Sequence, residues 1–464
     1  NRKLFQLPVC FLARQPAQQK ISQVLAAIRL GQVIIHAGGQ AALFIAFHCI
    51  GGYGNYSEMA ASAGLMLALT LVLTVKRQLQ IDRHSNLVRA YTVFLIVVVL
   101  GIALSPYWEE SLIPFRRELL PMTLAFVLLT GQKAVRQQGE QTRVALLAGW
   151  ALIVAFVVRS FLALNDWLVE GVHTDYYSSD HAAARFFDFF AVDATLIMPV
   201  VVAAILCLAM PRSLRSILII SVLTAFLLIV VSNVRTALIT TVVVTLLQLL
   251  PRLCSKKIWA VLGIALLSLG VATVASNRLD KVVERYATIF SKAAYQGSEA
   301  TGASSVYERL SIWKGTLEMA AERPLVGYGL GWQKLYDAAY QGGYVDRWRA
   351  SPVFIDKTVA HYFDTYERGK VNPHNLWVDI VFETGVLGLV SYVAMLCVLL
   401  ARAVRAWRNK AQDQVTHWFA NGALAYMVTY GLVNMMGGFW LTSGATLLLF
   451  IVSELLRQKQ QGLK

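Results

Sequence analysis

Val371-Asn-Pro-His-Asn-Leu-Trp-Val-Asp-Ile-Val-Phe-Glu-Thr-Gly-Val-Leu-Gly388 is where two kinds of sequence meet. Before it lies a long polar segment, 276–373; after His374 the chain turns apolar for the length of a membrane crossing. Blocks of about 17–25 apolar residues, the length that carries a helix through the hydrocarbon core, recur along the chain. Of 464 residues, 57% are hydrophobic and 15% charged, against roughly a quarter charged in soluble domains. The reading is an all-α polytopic membrane protein. Twelve spans are expected, at 33–52, 59–75, 87–104, 112–130, 144–164, 190–210, 214–231, 236–250, 258–275, 376–400, 418–436 and 439–455.

The net charge of +15 fits an excess of Lys and Arg in cytoplasmic loops better than a nucleic-acid surface. One set of loops, which includes both termini, holds 24 of the 42 basic residues. The short loops of the other side hold only Arg116, Arg117, Arg159, Arg185 and Arg235, diluted by acids. The positive-inside rule then puts both termini in the cytoplasm, in agreement with an even number of spans. The remaining 13 basic residues, with 11 acids, sit in the outer loop 276–373. The chain therefore divides into a first membrane domain, 1–275, this loop, and a second membrane domain, 374–464. A loop of that length is too long for an idle connector. Within it Ser305-Val-Tyr-Glu308 reads as a capping box opening a helix, Glu322-Arg-Pro324 as its stop, and Gly327-Tyr-Gly-Leu-Gly-Trp332 as a turn-rich segment. Cys10, Cys49, Cys207, Cys254 and Cys397 fall in or beside apolar blocks without the paired spacing of a zinc site or a disulfide framework. The N-terminus shows no removable signal peptide.

Ionisable groups at the ends of spans are costly to place, which makes them functional candidates. On the outer side these are Arg116 and Arg117, Arg159, Arg185, Arg235 and His374, with Arg309 on the loop helix. Guanidinium is a planar fork that matches phosphate oxygens and stays charged at any working pH. Each arginine alone could equally be a snorkelling interfacial residue or an ion-pair partner. Arg235 stands out because Ser232-Asn-Val-Arg-Thr236 is a very short link between two apolar helices. His374 follows Asn-Pro and is expected on the first turn of its span, where the helix dipole favours neutral imidazole. Neutral imidazole can accept a proton from a hydroxyl, as a general base does; a capping histidine is the bland alternative. Asn375 and His361 are supporting candidates. Asp379 and Glu383 lie about 140° and 180° around the helix from His374, and pairing with an arginine of another span is expected for them. The chain has no Asp-x-Asp metal pair, no Walker loop and no His-Glu-x-x-His. No metal, nucleotide or other cofactor is expected, so any phosphate falls to arginine.

His374-Asn375, nine residues, and Gly385-Val-Leu-Gly388 resemble the His-Asn-x9-Gly-x-x-Gly signature of the bacterial O-antigen ligases, the WaaL family. Tyr307-Glu-Arg-Leu-Ser-Ile-Trp-Lys, then Glu322-Arg-Pro-Leu-Val-Gly-Tyr-Gly-Leu-Gly331, resembles the loop preceding that signature, and Ser232-Asn-Val-Arg-Thr its Ser-x-x-Arg turn. The likeness covers about 230–390. It implies a GT-C-type glycosyltransferase of the Gram-negative inner membrane, active on the periplasmic face. Such an enzyme moves polysaccharide from undecaprenyl pyrophosphate to the outer sugar of lipid A–core, among membrane lipids and without nucleic acid. His374 would be the catalytic base. Arg235 and Arg309, with Arg116, Arg117, Arg185 and Arg159, would face the pyrophosphate or the core phosphates. O-antigen polymerases and protein O-oligosaccharyltransferases share the loop architecture; a transporter or flippase is the rival from another class.

Overall fold

The computed structural model describes residues 74–133, 140–168, 181–232, 234–250, 305–368, 370–409, 411–435 and 444–462. The expected spans at 33–52 and 258–275, nearly all of 59–75, and the start of the loop, 276–304, lie outside them. The described elements are helical throughout. In chain order they are α1 (Asn86–Ala103), α2 (Trp108–Pro114), a π-turn (Phe115–Leu119) and α3 (Leu120–Gly131). Next come α4 (Glu140–Leu168), α5 (His181–Cys207), α6 (Arg212–Val231) and α7 (Arg235–Leu249). The polar loop contributes α8 (Ser305–Ala320), a 3-10 turn (Trp332–Lys334), α9 (Leu335–Gln341), α10 (Tyr344–Ala350) and α11 (Phe354–Thr365). The chain then runs through α12 (Leu376–Arg408), α13 (Gln414–Val433) and α14 (Gly444–Gly462).

Four of these helices, α1, α4, α6 and α12, are long and apolar enough to cross a membrane, and α3, α7 and the Ala191–Cys207 stretch of α5 are shorter apolar helices. Their inner faces form one apolar core, to which Phe94, Phe156, Val201, Leu399, Tyr426 and Ile451 belong. Aliphatic residues at helical spacing elsewhere, such as Val93, Ile96 and Leu100 on α1, stay exposed. An all-round apolar helix with one face uncovered is what lipid, and not water, accommodates. At one end of the bundle a buried ion network ties α1, α12 and α14 together. Glu454, fully buried, is bridged by Arg402 at 2.9 Å and Arg457 at 2.6 Å, and accepts from Ser85.

At the other end the loop helices build a second core around Ile312, Met319, Leu335, Trp348, Val359 and Phe363. The expected helix from Ser305 is α8, and it ends at Ala320 just before Glu322-Arg-Pro324. Phe382 of α12 belongs to this second core, whereas Leu376, Ile380 and Tyr392 of the same helix belong to the first.

Two expected spans are not the single rods that their apolar runs suggest. The run 112–130 is divided into α2, the π-turn and α3. Pro114 and Pro121 each lack the N–H that would close an α-turn, and between them the Leu120 N–H donates to the Phe115 carbonyl, five residues back. The run 376–400 is broken at Gly385, whose φ 65° and ψ −170° are non-helical. Its two missing helical bonds are replaced from the loop. Val386 N–H donates to Pro324 O at 2.7 Å and Leu387 N–H to Leu325 O at 3.3 Å. The carbonyls those groups would have used, on Phe382 and Glu383, accept from Tyr328 N–H at 2.8 Å and Gly329 N–H at 2.9 Å. Residues 386–408 then span about 35 Å at 1.5 Å per residue, sufficient for the hydrocarbon core. Leu376–Thr384 is a separate half-helix, capped by the loop.

This splice needs two backbones in contact. A Cβ on Gly385 would fall 2.3 Å from the Leu325 carbonyl carbon, and one on Gly327 2.5 Å from Phe382 O. Both glycines also have positive φ, which costs other residues about 1–2 kcal/mol before any clash. Gly385→Ala is therefore expected to lower the unfolding temperature more than Gly431→Ala, where a Cβ meets nothing within 4 Å. Thermal unfolding of the purified variants measures the difference.

Candidate active site

The residues 371–375 are held from three sides. Trp313 of α8 donates its indole N–H to Pro373 O at 2.8 Å. The Tyr362 hydroxyl of α11 donates to Asn372 O at 3.3 Å and accepts from Asn372 N–H at 3.4 Å. From the membrane bundle, Asn434 O accepts from Leu376 N–H at 2.9 Å and Met435 O from the Asn375 amide at 3.2 Å. Asn375 also caps the half-helix, its Oδ1 accepting from Trp377 N–H at 2.9 Å and Val378 N–H at 3.2 Å. Asn375, expected as a supporting residue, is thus the N-cap.

His374 does not lie on the first helical turn, as the sequence suggested, but two residues before it. Its φ of 53° puts it in the left-handed region, uncommon for any residue with a Cβ. The Asn372 carboxamide stabilises this turn by accepting from His374 N–H at 2.6 Å, an Asx arrangement. Strain of about 1–3 kcal/mol kept at such a position clusters at functional sites. The expected neutrality of the imidazole holds, though from other causes: burial pushes it down to about 4, and the charge of Arg309 acts in the same direction.

Arg309 is on the first turns of α8 beside Glu308. Burial pushes the Glu308 carboxyl up, opposed by Arg309 and then by His361 of α11. The structure thus gathers His374, Arg309, Glu308, His361 and Tyr362 where α8 and α11 meet the 371–375 turn. Trp313 and Tyr362 were not singled out as site residues from the sequence, and Glu308 only as part of a capping box. Tyr362, two positions beyond Ala360, had no signal beyond its neighbour His361.

The other arginines are distributed differently. Arg116 and Arg117 are exposed on the π-turn, whose preceding Pro114 packs against Gly331 of the glycine-rich loop. Arg159 is engaged by Asp193, an ion pair between α4 and α5. Arg185 lies on α5 and Arg235 opens α7; their side chains lie outside the described residues. Glu383 faces Lys334, a lysine of the loop. Asp379 has no such partner among the described residues: fully buried, it accepts no hydrogen bond at either carboxylate oxygen.

An unpaired buried carboxylate carries its full desolvation penalty. Asp379→Asn, nearly isosteric and uncharged, is expected to raise the unfolding temperature. A fall in that temperature would show that the carboxylate has an ionic partner in the membrane-embedded protein.

Residues 220–393 match the family model described as O-antigen ligase. The matched stretch runs from within α6 to just beyond the Gly385 splice and contains Arg235, Arg309, the glycine-rich loop and His374. No curated protein matches the chain significantly.

Proposed function

We propose that this chain, whose segment 220–393 matches the family model described as O-antigen ligase, is a periplasm-facing glycosyltransferase. It joins O-antigen polysaccharide carried on undecaprenyl pyrophosphate to the outer sugar of lipid A–core. In this reading twelve spans place the loop 276–373 on the periplasmic face of the inner membrane, between the membrane domains 1–275 and 374–464. The observation that carries it is His374, buried and held in the left-handed region on the turn where loop and membrane helix join, with the charge of Arg309 on α8 bearing on its imidazole.

The chemistry is a displacement at the anomeric carbon of the donor. The bond from that carbon to the pyrophosphate oxygen breaks and its electron pair leaves on the pyrophosphate; the acceptor hydroxyl oxygen forms the new bond. In-line attack inverts the configuration. Uncharged His374 accepts the hydroxyl proton as the bond forms and releases it to water. With a pKa near 4, the imidazole is a weak base and holds the proton only in passing, so orienting the hydroxyl is as large a share of its role. Arg309 and Arg235 take up the charge that develops on the leaving group, and Arg116 and Arg117, with Arg185, hold the more distant phosphates. Arg159, already paired with Asp193, supports the bundle beside them.

Transfer by purified protein from lipid-linked polymer to lipid A–core tests this reading; a deletion strain separates ligase from polymerase. Loss of a ligase leaves long polymer on undecaprenyl pyrophosphate, whereas loss of a polymerase leaves single repeats on lipid A–core. His374→Ala is expected to lower kcat by about 10²-fold or more, the usual contribution of a positioned base. Arg235→Ala and Arg309→Ala should each cost about 10²-fold, as removal of one preorganised donor does. An Arg235→Ala enzyme with native rate and donor affinity would remove the clamp from the mechanism.

The pH dependence carries the same signature. His374 is deprotonated above about 4, so its share of activity is fully present from pH 8 down to about 5 and is lost only as pH falls through about 4. An unperturbed histidine would place that limb near 6.5. In Arg309→Ala the limb moves upward, because the guanidinium charge that opposes protonation is gone; rate profiles of both proteins measure the shift.

A further inference from the structure

Lys334, the last residue of the 3-10 turn, is 1% exposed, although lysine is almost never fully buried unless paired. Its Nζ donates to Ser111 Oγ at 2.5 Å and to Leu330 O at 2.6 Å, and its charge faces Glu383 and Glu110. Ser111 is on α2, four residues before the π-turn; its hydroxyl also donates to Tyr107 O at 2.9 Å. Leu330 belongs to the glycine-rich loop, and Glu383 is in the last turn of the half-helix that begins two residues after His374. One ammonium therefore bonds α2 to the glycine-rich loop and faces the end of the half-helix.

Stability alone does not account for such a group. Taking an ion out of water costs several kcal/mol, and a buried ion pair often stabilises no better than apolar residues of similar volume. Burial pushes Lys334 down to about 8 against the pull of Glu383 and Glu110, so desolvation outweighs attraction here. What the ammonium supplies that an apolar side chain cannot is direction, with three donors at fixed angles.

We propose that Lys334 is a positioning residue: bonded to Ser111 and Leu330 and facing Glu383, it fixes the half-helix behind His374 against the π-turn that bears Arg116 and Arg117. Lys334 acts on chemistry only through these segments. Its effect on rate rests on the glycosyltransferase reading; its effect on the splice does not.

The test compares full-length wild type, Lys334→Met, Glu383→Gln and the double variant in lipid nanodiscs at pH 7. Lys334→Met removes the donor to Ser111 and Leu330 together with the charge that faces Glu383, and lowers the unfolding temperature; the double variant also removes the facing carboxylate charge and regains part of it. In the double variant the amides of Tyr328, Gly329, Val386 and Leu387 exchange about tenfold or more faster than in wild type, the scale of one charge-assisted hydrogen bond, while α13 keeps native protection. Transfer from lipid-linked glycan falls about tenfold in kcat, with KM for the donor changed less than about twofold. A double variant with native exchange at those amides, or with native kcat, overturns the proposal. If Lys334→Met does not fold, Glu383→Gln decides: it must show the same faster exchange, and native protection there overturns the proposal equally. A wild-type protein that transfers nothing sinks the glycosyltransferase reading, while the exchange data still judge Lys334.

Discussion

The structure turns on an exchange of backbone hydrogen bonds at Gly385. In an uninterrupted helix Val386 and Leu387 would donate to Phe382 and Glu383. Here both donors and both acceptors are taken over by Pro324–Gly329, so two helical bonds become four between distant segments. None of these four polar groups is left unpaired, which matters most where water is scarce. The exchange requires glycine on each side, at 327 and 385, because a Cβ at either would lie within 2.6 Å of the opposing backbone. The ring stack of Tyr328 on Phe382, 4.9 Å between centroids, seals it.

From this splice the placement of the site follows. The half-helix Leu376–Thr384 is detached from its own continuation and shared between two cores, Ile380 in the bundle and Phe382 in the loop. Its N-terminal lead-in is bonded to α8, α11 and the end of α13. A loop tethered at one point could not hold a residue at φ 53°; one bonded at several points can, since the surroundings over-determine it. The unfavourable conformation of His374 thus depends on the loop and the bundle being locked together several residues away.

Much of this was legible in the sequence, and what was not has a common physical cause. The apolar run at 87–104 coincides with α1 to within a residue and that at 214–231 with α6 to within two, while α4 contains the run 144–164 and extends four residues beyond it at each end, because lipid-crossing length and composition are local properties. The helix from Ser305 and its stop near Pro324 were likewise local. Gly385 was visible within a motif, but its positive φ depends on a partner segment some sixty residues earlier. The same holds for Lys334, whose sequence neighbours Gly331-Trp-Gln give no sign that it is buried. His374 and Arg309 were both picked out, and the structure links them. Glu383 faces that buried lysine, because the loop folds down against the half-helix. Arg159, by contrast, takes the ion-pair role that was one of its two readings.

The charges around the splice share one consequence. His374 is neutral above about pH 4 and Lys334 is charged below about pH 8, while guanidinium holds its charge throughout. Between those limits none of these three kinds of group changes state, so their own contribution to the field presented to an anionic ligand is constant. A histidine left at its ordinary value would instead titrate within the working range and add a positive charge beside Arg309. Burial and the guanidinium together prevent that. The cost is basicity, since an imidazole depressed this far binds a proton weakly. A site built this way relies on geometry more than on proton affinity. It is then consistent that hydrogen bonds from α8, α11 and the end of α13 converge on the turn that carries His374.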